Sequence, residues 1–238
     1  MSGNAPARVF SDPSMLRSFG RRHGRVLRDW EEEVFRDTLP GCRLTLPEGE
    51  APLDISGLQR NARELWMEIG FGGGEHLAEQ AVQNPDISFI GCEPFDKGVA
   101  KLLRTVRSEH LSNIHIYMDD ARLLLARLPD ACLSRVFILF PDPWPKVRHQ
   151  KRRLVQPYLL SLLARTIRPG GELRMASDHA DYVTWMLEVM QAQEDFRWTA
   201  QGPEDFLSPP TDWVTTRYQQ KTEAQGRHPT FLIYRRHA

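Results

Sequence analysis

The sequence predicts an α/β fold, a doubly wound and mostly parallel sheet with a final antiparallel strand. Three observations carry this. Short apolar, β-branched runs alternate with helix-period segments across most of the chain. A glycine-rich turn, Gly70-Phe71-Gly72-Gly73-Gly74, directly follows the first such run. Residues 136–139 form another apolar run, which opens into a loop stiffened by Pro141, Pro143 and Pro145. In open α/β sheets such carboxyl-edge loops are where ligands bind.

In chain order, residues 1–16 are small, polar and proline-punctuated, and are expected to be disordered. Arg17, Arg21, Arg22, His23, Arg25 and Arg28 follow, interleaved with Leu16, Phe19, Val26 and Leu27. This is either an RNA-binding arm or a solvated charged segment, and its density in a neutral chain favours the arm. Residues 30–39 read as a helix ended by Pro40-Gly41, 40–57 as loop, and 58–65 as a helix leading into the sheet. Residues 17–62 thus form a basic arm with leading helices, ahead of one domain at 63–238.

Within that domain, strands are expected at 65–69, 88–92, 114–118, 135–140 and 172–176. Helices are expected at 75–84, 95–109, 121–128, 154–167 (stopped by Pro169-Gly170) and 180–191. Residues 196–199 and 231–236 make a closing strand pair across a long polar segment.

A chain of 238 residues can bury a sizeable core. Its formal net charge is zero, so only local clusters can argue for nucleic acid. Cys42, Cys92 and Cys132 lie far apart without a CxxC pair, which fits reduced thiols in a cytosol and argues against a zinc knuckle or disulfide framework. There is no secretory apolar segment and no run long enough to span a bilayer. The expectation is a cytoplasmic protein with neither metal nor membrane partner. The sequence does not choose between monomer and homodimer.

The glycine turn first suggests a dinucleotide site, whose fingerprint is G-x-G-x-x-G. Here Gly70 and Gly72 are present, but Glu75 stands at the third glycine position. Glu93, ending the second strand, sits where a ribose-binding acid belongs. Glu68, two residues before Gly70, would repel a pyrophosphate and attract a cation. Glu68, Glu93, Asp120 and Asp142 place an acid near the end of each of the first four strands, a set suited to S-adenosyl-L-methionine. For Asp120 alone a helix cap is the plainer reading. After the proline loop come Lys146, Arg148, Lys151, Arg152 and Arg153, a dense set of phosphate-contact candidates. Trp144 either stacks on a base or ribose or packs the loop to the core.

The stretches MEIGFGGGEHL (67–77), GCEPFDKGV (91–99), FPDPWPKVRHQKRR (140–153), RMASDHADY (174–182) and VTTRYQQKTEAQGRHP (214–229) resemble the tRNA (guanine-N7)-methyltransferase family. SFGRRHGR (18–25) is similar to that family's basic N-terminal element, with Arg21 and Arg22 as RNA contacts. The resemblance implies a Rossmann-like class I methyltransferase fold, S-adenosyl-L-methionine as donor, and guanosine 46 of the tRNA variable loop as target. It carries cofactor roles to Glu68, Gly70, Gly72, Glu93, Asp120 and Asp142. It carries substrate roles to Lys146, Asp178, Thr216, Arg217, Tyr218 and Gln219. Gln219 departs from the family, which usually has Glu there.

Guanine N7 has a free lone pair, so no proton need be removed before methyl transfer. Catalysis is expected to be positioning, with Asp142 stabilising the charge gained by the purine or accepting from its N1–H and amino group. The alternative is a class I methyltransferase acting on another RNA or a small molecule.

Overall fold

The computed structural model describes residues 19, 20 and 22–237. The expected disorder of residues 1–16, and Arg17 and Arg21 of the arm, lie outside the described residues. Seven strands form one sheet: β1 (Glu64–Ile69), β2 (Ile87–Cys92), β3 (Ile114–Tyr117), β4 (Leu133–Leu139), β5 (Ile167–Ser177), β6 (Phe196–Trp198) and β7 (Thr230–Arg236). Their order is β3-β2-β1-β4-β5-β7-β6. Neighbours among β1 to β5 pair in parallel, and β7 runs antiparallel between β5 and β6. The chain moves outward from β1 to β3, then returns to β4 on the other side of β1. The switch point therefore lies where the glycine turn and the proline loop emerge side by side.

The helices are α1 (Asp29–Asp37), α2 (Leu39–Cys42), α3 (Ser56–Gln59), α4 (Glu75–Gln83), α5 (Asp96–Ser108), α6 (Ala121–Leu125), α7 (Pro157–Thr166), α8 (Ala180–Gln191), α9 (Glu204–Leu207) and α10 (Arg217–Glu223). Strand alternation sends Trp66, Phe89 and Phe137 to one face, where α1, α4 and α5 bury Val34, Leu77, Leu102 and Leu103. Met67, Ile90 and Ile138 take the other face, under Leu124, Leu160, Leu163 and Met186 of α6, α7 and α8. Over β4, β5 and β7 the first face is covered by an irregular segment. There Asp212 accepts from Arg174 at 2.6 Å and Arg135 at 3.0 Å, and Trp213 packs edge-on to Phe231.

Several boundaries differ from expectation. Pro40 and Gly41 lie inside α2, with proline in its first turn, where a missing N–H costs nothing. The helix expected at 58–65 shrinks to α3, since residues 64 and 65 already belong to β1. The helix expected at 154–167 begins at Pro157 and stops at Thr166. Pro169-Gly170 is not its stop but lies within β5, where the pairing jumps from Leu133↔Ile167 to Arg135↔Glu172. Gly170, at φ +76°, turns this bulge. The long polar segment contains α9 and α10.

Candidate active site

A cleft of about 840 Å³ opens along the carboxyl edge of the sheet. Gly70 and Gly72 form one wall. Gly72 has φ +54°, and a Cβ there would meet nothing within 4 Å, so backbone conformation demands the glycine and the space beyond is open. Gly98 of α5 is packed against the Gly72 carbonyl with no room for a Cβ, so the helix backbone braces the turn.

Glu93 is buried beside this wall. Its Oε2 accepts the Gly72 N–H and its Oε1 the Phe95 N–H, each at 2.9 Å. Burial pushes its carboxyl above the usual range; these hydrogen bonds oppose the shift, while the charges of Asp142 and Glu68 add to it. Asp120 caps α6 by accepting the Arg122 N–H at 3.0 Å and pairs with the Arg122 guanidinium at 2.6 Å. The cap reading holds, and Asp120 also lines the cleft. Glu68 does not complete the ring of acids. It is buried outside the lining, and its Oε2 lies 2.7 Å from His76 Nδ1.

Asp142 is exposed at the cleft and has no hydrogen-bond or ion-pair partner among the described residues. The loop carrying it is strained: Phe140 and Trp144 have φ of 51° and 41°. Behind the loop stands Arg153, and here the expectation of a phosphate contact is corrected. Its side chain is 1% exposed, donates to the Pro143 carbonyl at 2.9 Å and pairs with Asp181 at 2.6 Å. The guanidinium lies 4.9 Å from the Tyr182 ring centre and 5.4 Å from that of Trp185. Its planar fork suits a carbonyl and a carboxylate together, so it struts the loop from inside.

Lys146, Arg148 and Lys151 are exposed at the rim. Desolvation lowers the proton affinity of His149, and the charges of Arg152, Arg148, Lys146 and Lys151 add to it. The Arg152 guanidinium lies between Phe19 and Trp144, 5.2 and 5.0 Å from their ring centres. Trp144 thus packs within its own loop while also lining the cleft. The described part of the arm folds onto the chain. Arg22 pairs with Asp119 at 2.6 Å, the Gly24 N–H reaches Asp96 at 3.2 Å, and Lys97 donates to the Val26 carbonyl at 2.9 Å.

From the run 216–219, only Tyr218 lines the cleft. Thr216 caps α10 by accepting the Gln219 N–H. Arg217 is held by Glu75, a contact the sequence reading missed when it saw only an absent glycine. Gln219 is buried and committed elsewhere: its Oε1 accepts from Trp213 Nε1 at 2.7 Å and its Nε2 donates to Glu223 at 2.8 Å. Asp178 is also nearly buried, paired with Arg227. Neither projects freely into the cleft as a substrate contact would.

A family model described as "Putative methyltransferase" matches residues 62–232. The tRNA (guanine-N(7)-)-methyltransferase of Rhodospirillum rubrum is 49% identical, over 92% of this chain and 88% of its own. That of Hyphomonas neptunium is 46% identical, over 87% and 93%. The chain belongs to the tRNA (guanine-N7)-methyltransferase family. A solved 16S rRNA methyltransferase, KamB, matches with a TM-score of 0.54 at 15% identity, over 77% of this chain and 93% of that one. At that identity the likeness speaks for fold alone, and the fold is the Rossmann-like class I methyltransferase sheet. In this family member no helix among the described residues is long and apolar enough to cross a membrane. The same residues contain no group of three or more His, Cys, Asp or Glu that could hold a metal ion.

Proposed function

We propose that this protein transfers the methyl group of S-adenosyl-L-methionine to N7 of guanosine 46 in the tRNA variable loop, in the cytoplasm. The observation that carries the reading is Asp142. It is an unpartnered carboxylate set between the glycine–Glu93 wall and a rim of exposed cations. The cleft suits the donor: open space faces Gly72, and Glu93, Asp120 and Asp142 present acids where a pyrophosphate would be repelled. When bound, S-adenosyl-L-methionine supplies an electrophilic sulfonium methyl.

The chain's own residues do the rest. Gly70 and Gly72 leave room for a close backbone approach. Each Glu93 oxygen accepts one backbone N–H and keeps a lone pair for ribose hydroxyls. Asp142 accepts from the guanine N1–H and amino group and offsets the positive charge the purine gains. Lys146, Arg148, Lys151 and Arg152 hold phosphates, giving salt-sensitive affinity.

The test is methyl transfer from labelled donor to unmodified tRNA, beside a transcript with adenosine at the variable-loop position. Label in the first and none in the second is expected. Equal label in both would discard the target position, and none in either would discard the reading.

A further inference from the structure

Asp178 follows β5 at the carboxyl edge, beside the cleft but with a side chain only 2% exposed. Two groups from the last third of the chain meet it. The Tyr218 hydroxyl lies 3.3 Å from Oδ1, and Arg227 Nη1 lies 2.6 Å from Oδ2. Arg227 is itself fixed, 3.0 Å from His179 Nε2 and 3.1 Å from Gln225 Oε1. Tyr218 lines the cleft, 43% exposed, with its ring centre 5.1 Å from that of Phe140. Arg227 does not line it.

A carboxylate this buried needs a partner for its charge. Among the described residues, Arg227 is the cation paired with Asp178. We propose that Arg227, acting through Asp178, is the positioning residue that fixes Tyr218 as the aromatic wall on which the substrate purine lies. The inference rests on the methyltransferase reading above. The charge of Arg227 sits at Oδ2, which leaves Oδ1 to face the Tyr218 hydroxyl. That contact and the Phe140 ring then hold both ends of the phenol. An aromatic face fixed before the base arrives loses little freedom on stacking. Because Arg227 does not line the cleft that Gly70 and Gly72 wall, base binding should depend on it and cofactor binding should not.

The experiment compares wild type, Arg227→Met, Arg227→Lys, Asp178→Asn and the Arg227→Met/Asp178→Asn pair. Three quantities are read: KM and kcat for tRNA, donor affinity by calorimetry, and melting temperature. Arg227→Met is expected to raise the KM for tRNA about tenfold, the scale of one lost base–aromatic stack, with donor affinity within about twofold. Arg227→Lys should recover part of the loss. The pair should melt above Arg227→Met alone, because the uncompensated carboxylate is gone, yet keep the raised KM. If Arg227→Met does not fold, Arg227→Lys and the pair carry the measurement. An active wild type with unchanged KM in Arg227→Met and the pair overturns this inference alone, as does a parallel loss of donor affinity. A wild type that methylates no tRNA overturns both this and the function it rests on.

Discussion

Glu75 Oε2 accepts the backbone N–H of Arg217 at 2.7 Å, while Oε1 lies 3.1 Å from the Arg217 Nε. One carboxylate thereby joins the start of α4, just past the glycine turn, to the start of α10. The ion pair is largely exposed and adds little stability. The backbone bond satisfies an otherwise orphaned helix donor and sets where Tyr218 stands. Glu75→Ala should raise the KM for tRNA about three- to tenfold and move the melting point by less than about 4 °C, whereas Glu75→Gln keeps an acceptor and most of the affinity. Steady-state kinetics on both variants decide it; equal losses would show that charge, not the helix-end bond, matters.

Asp142 should act by binding and charge. Asp142→Asn is expected to lower kcat/KM by about a hundredfold or more. Because no proton is abstracted, its rate should be as flat with pH as that of wild type. A wild-type limb that disappears in the variant would instead make Asp142 a base.

Gln219 tests the departure from the family. Its amide accepts from Trp213 and donates to Glu223, which a carboxylate cannot do. Gln219→Glu would bury a second charge beside Glu223 and should cost about 1–3 kcal/mol, some 2–10 °C of melting temperature. Adding Glu223→Gln should restore most of it. No rescue in the melting curves would mean the two side chains are not coupled.

The rim and the strut should separate cleanly. Arg153→Ala removes a buried fork and is expected to destabilise by about 2–4 kcal/mol. Lys146→Ala should leave melting unchanged, weaken tRNA binding, and reduce the slope of log affinity against log salt by about one. Salt-dependent binding with stable Arg153→Ala protein would contradict the internal role of Arg153.

Glu93 gives a pH signature. Burial raises its carboxyl above 4.5, so the folded chain holds this proton to higher pH than the unfolded chain. Its contribution is fully present below the unfolded value and is lost as pH rises through the raised one. Relative to wild type, Glu93→Gln should therefore become progressively more stable as pH rises from 4.5, while donor affinity falls about tenfold. Urea melts across that range check the sign; a difference shrinking with pH would refute it.

The parallel sheet was legible because β1 to β5 read as apolar runs, each bordered by a turn or cap. The positions of Gly72, Glu93, Asp120 and Asp142 along the cleft were legible for a related reason: a strand end fixes where its next residue goes. Side-chain commitments were not. Arg153 sits in a run of cations that reads as solvated, and only Asp181, Tyr182 and Trp185, some thirty residues later, draw it inward. Glu68 faces the cleft or His76 depending on how α4 lies on the sheet, which no local pattern states. The Gln219–Glu223 bond could have been read from helical spacing alone. The start of β5 could not, because the bulge exists only in register with β4.

That bulge sits at the amino edge of the sheet, the edge opposite the cleft. Gly170 there has open space beyond it. Lengthening a loop adds closure entropy only logarithmically. Position 170 is thus a natural grafting point: a short peptide tag inserted there would stand away from the carboxyl edge and leave the cleft clear.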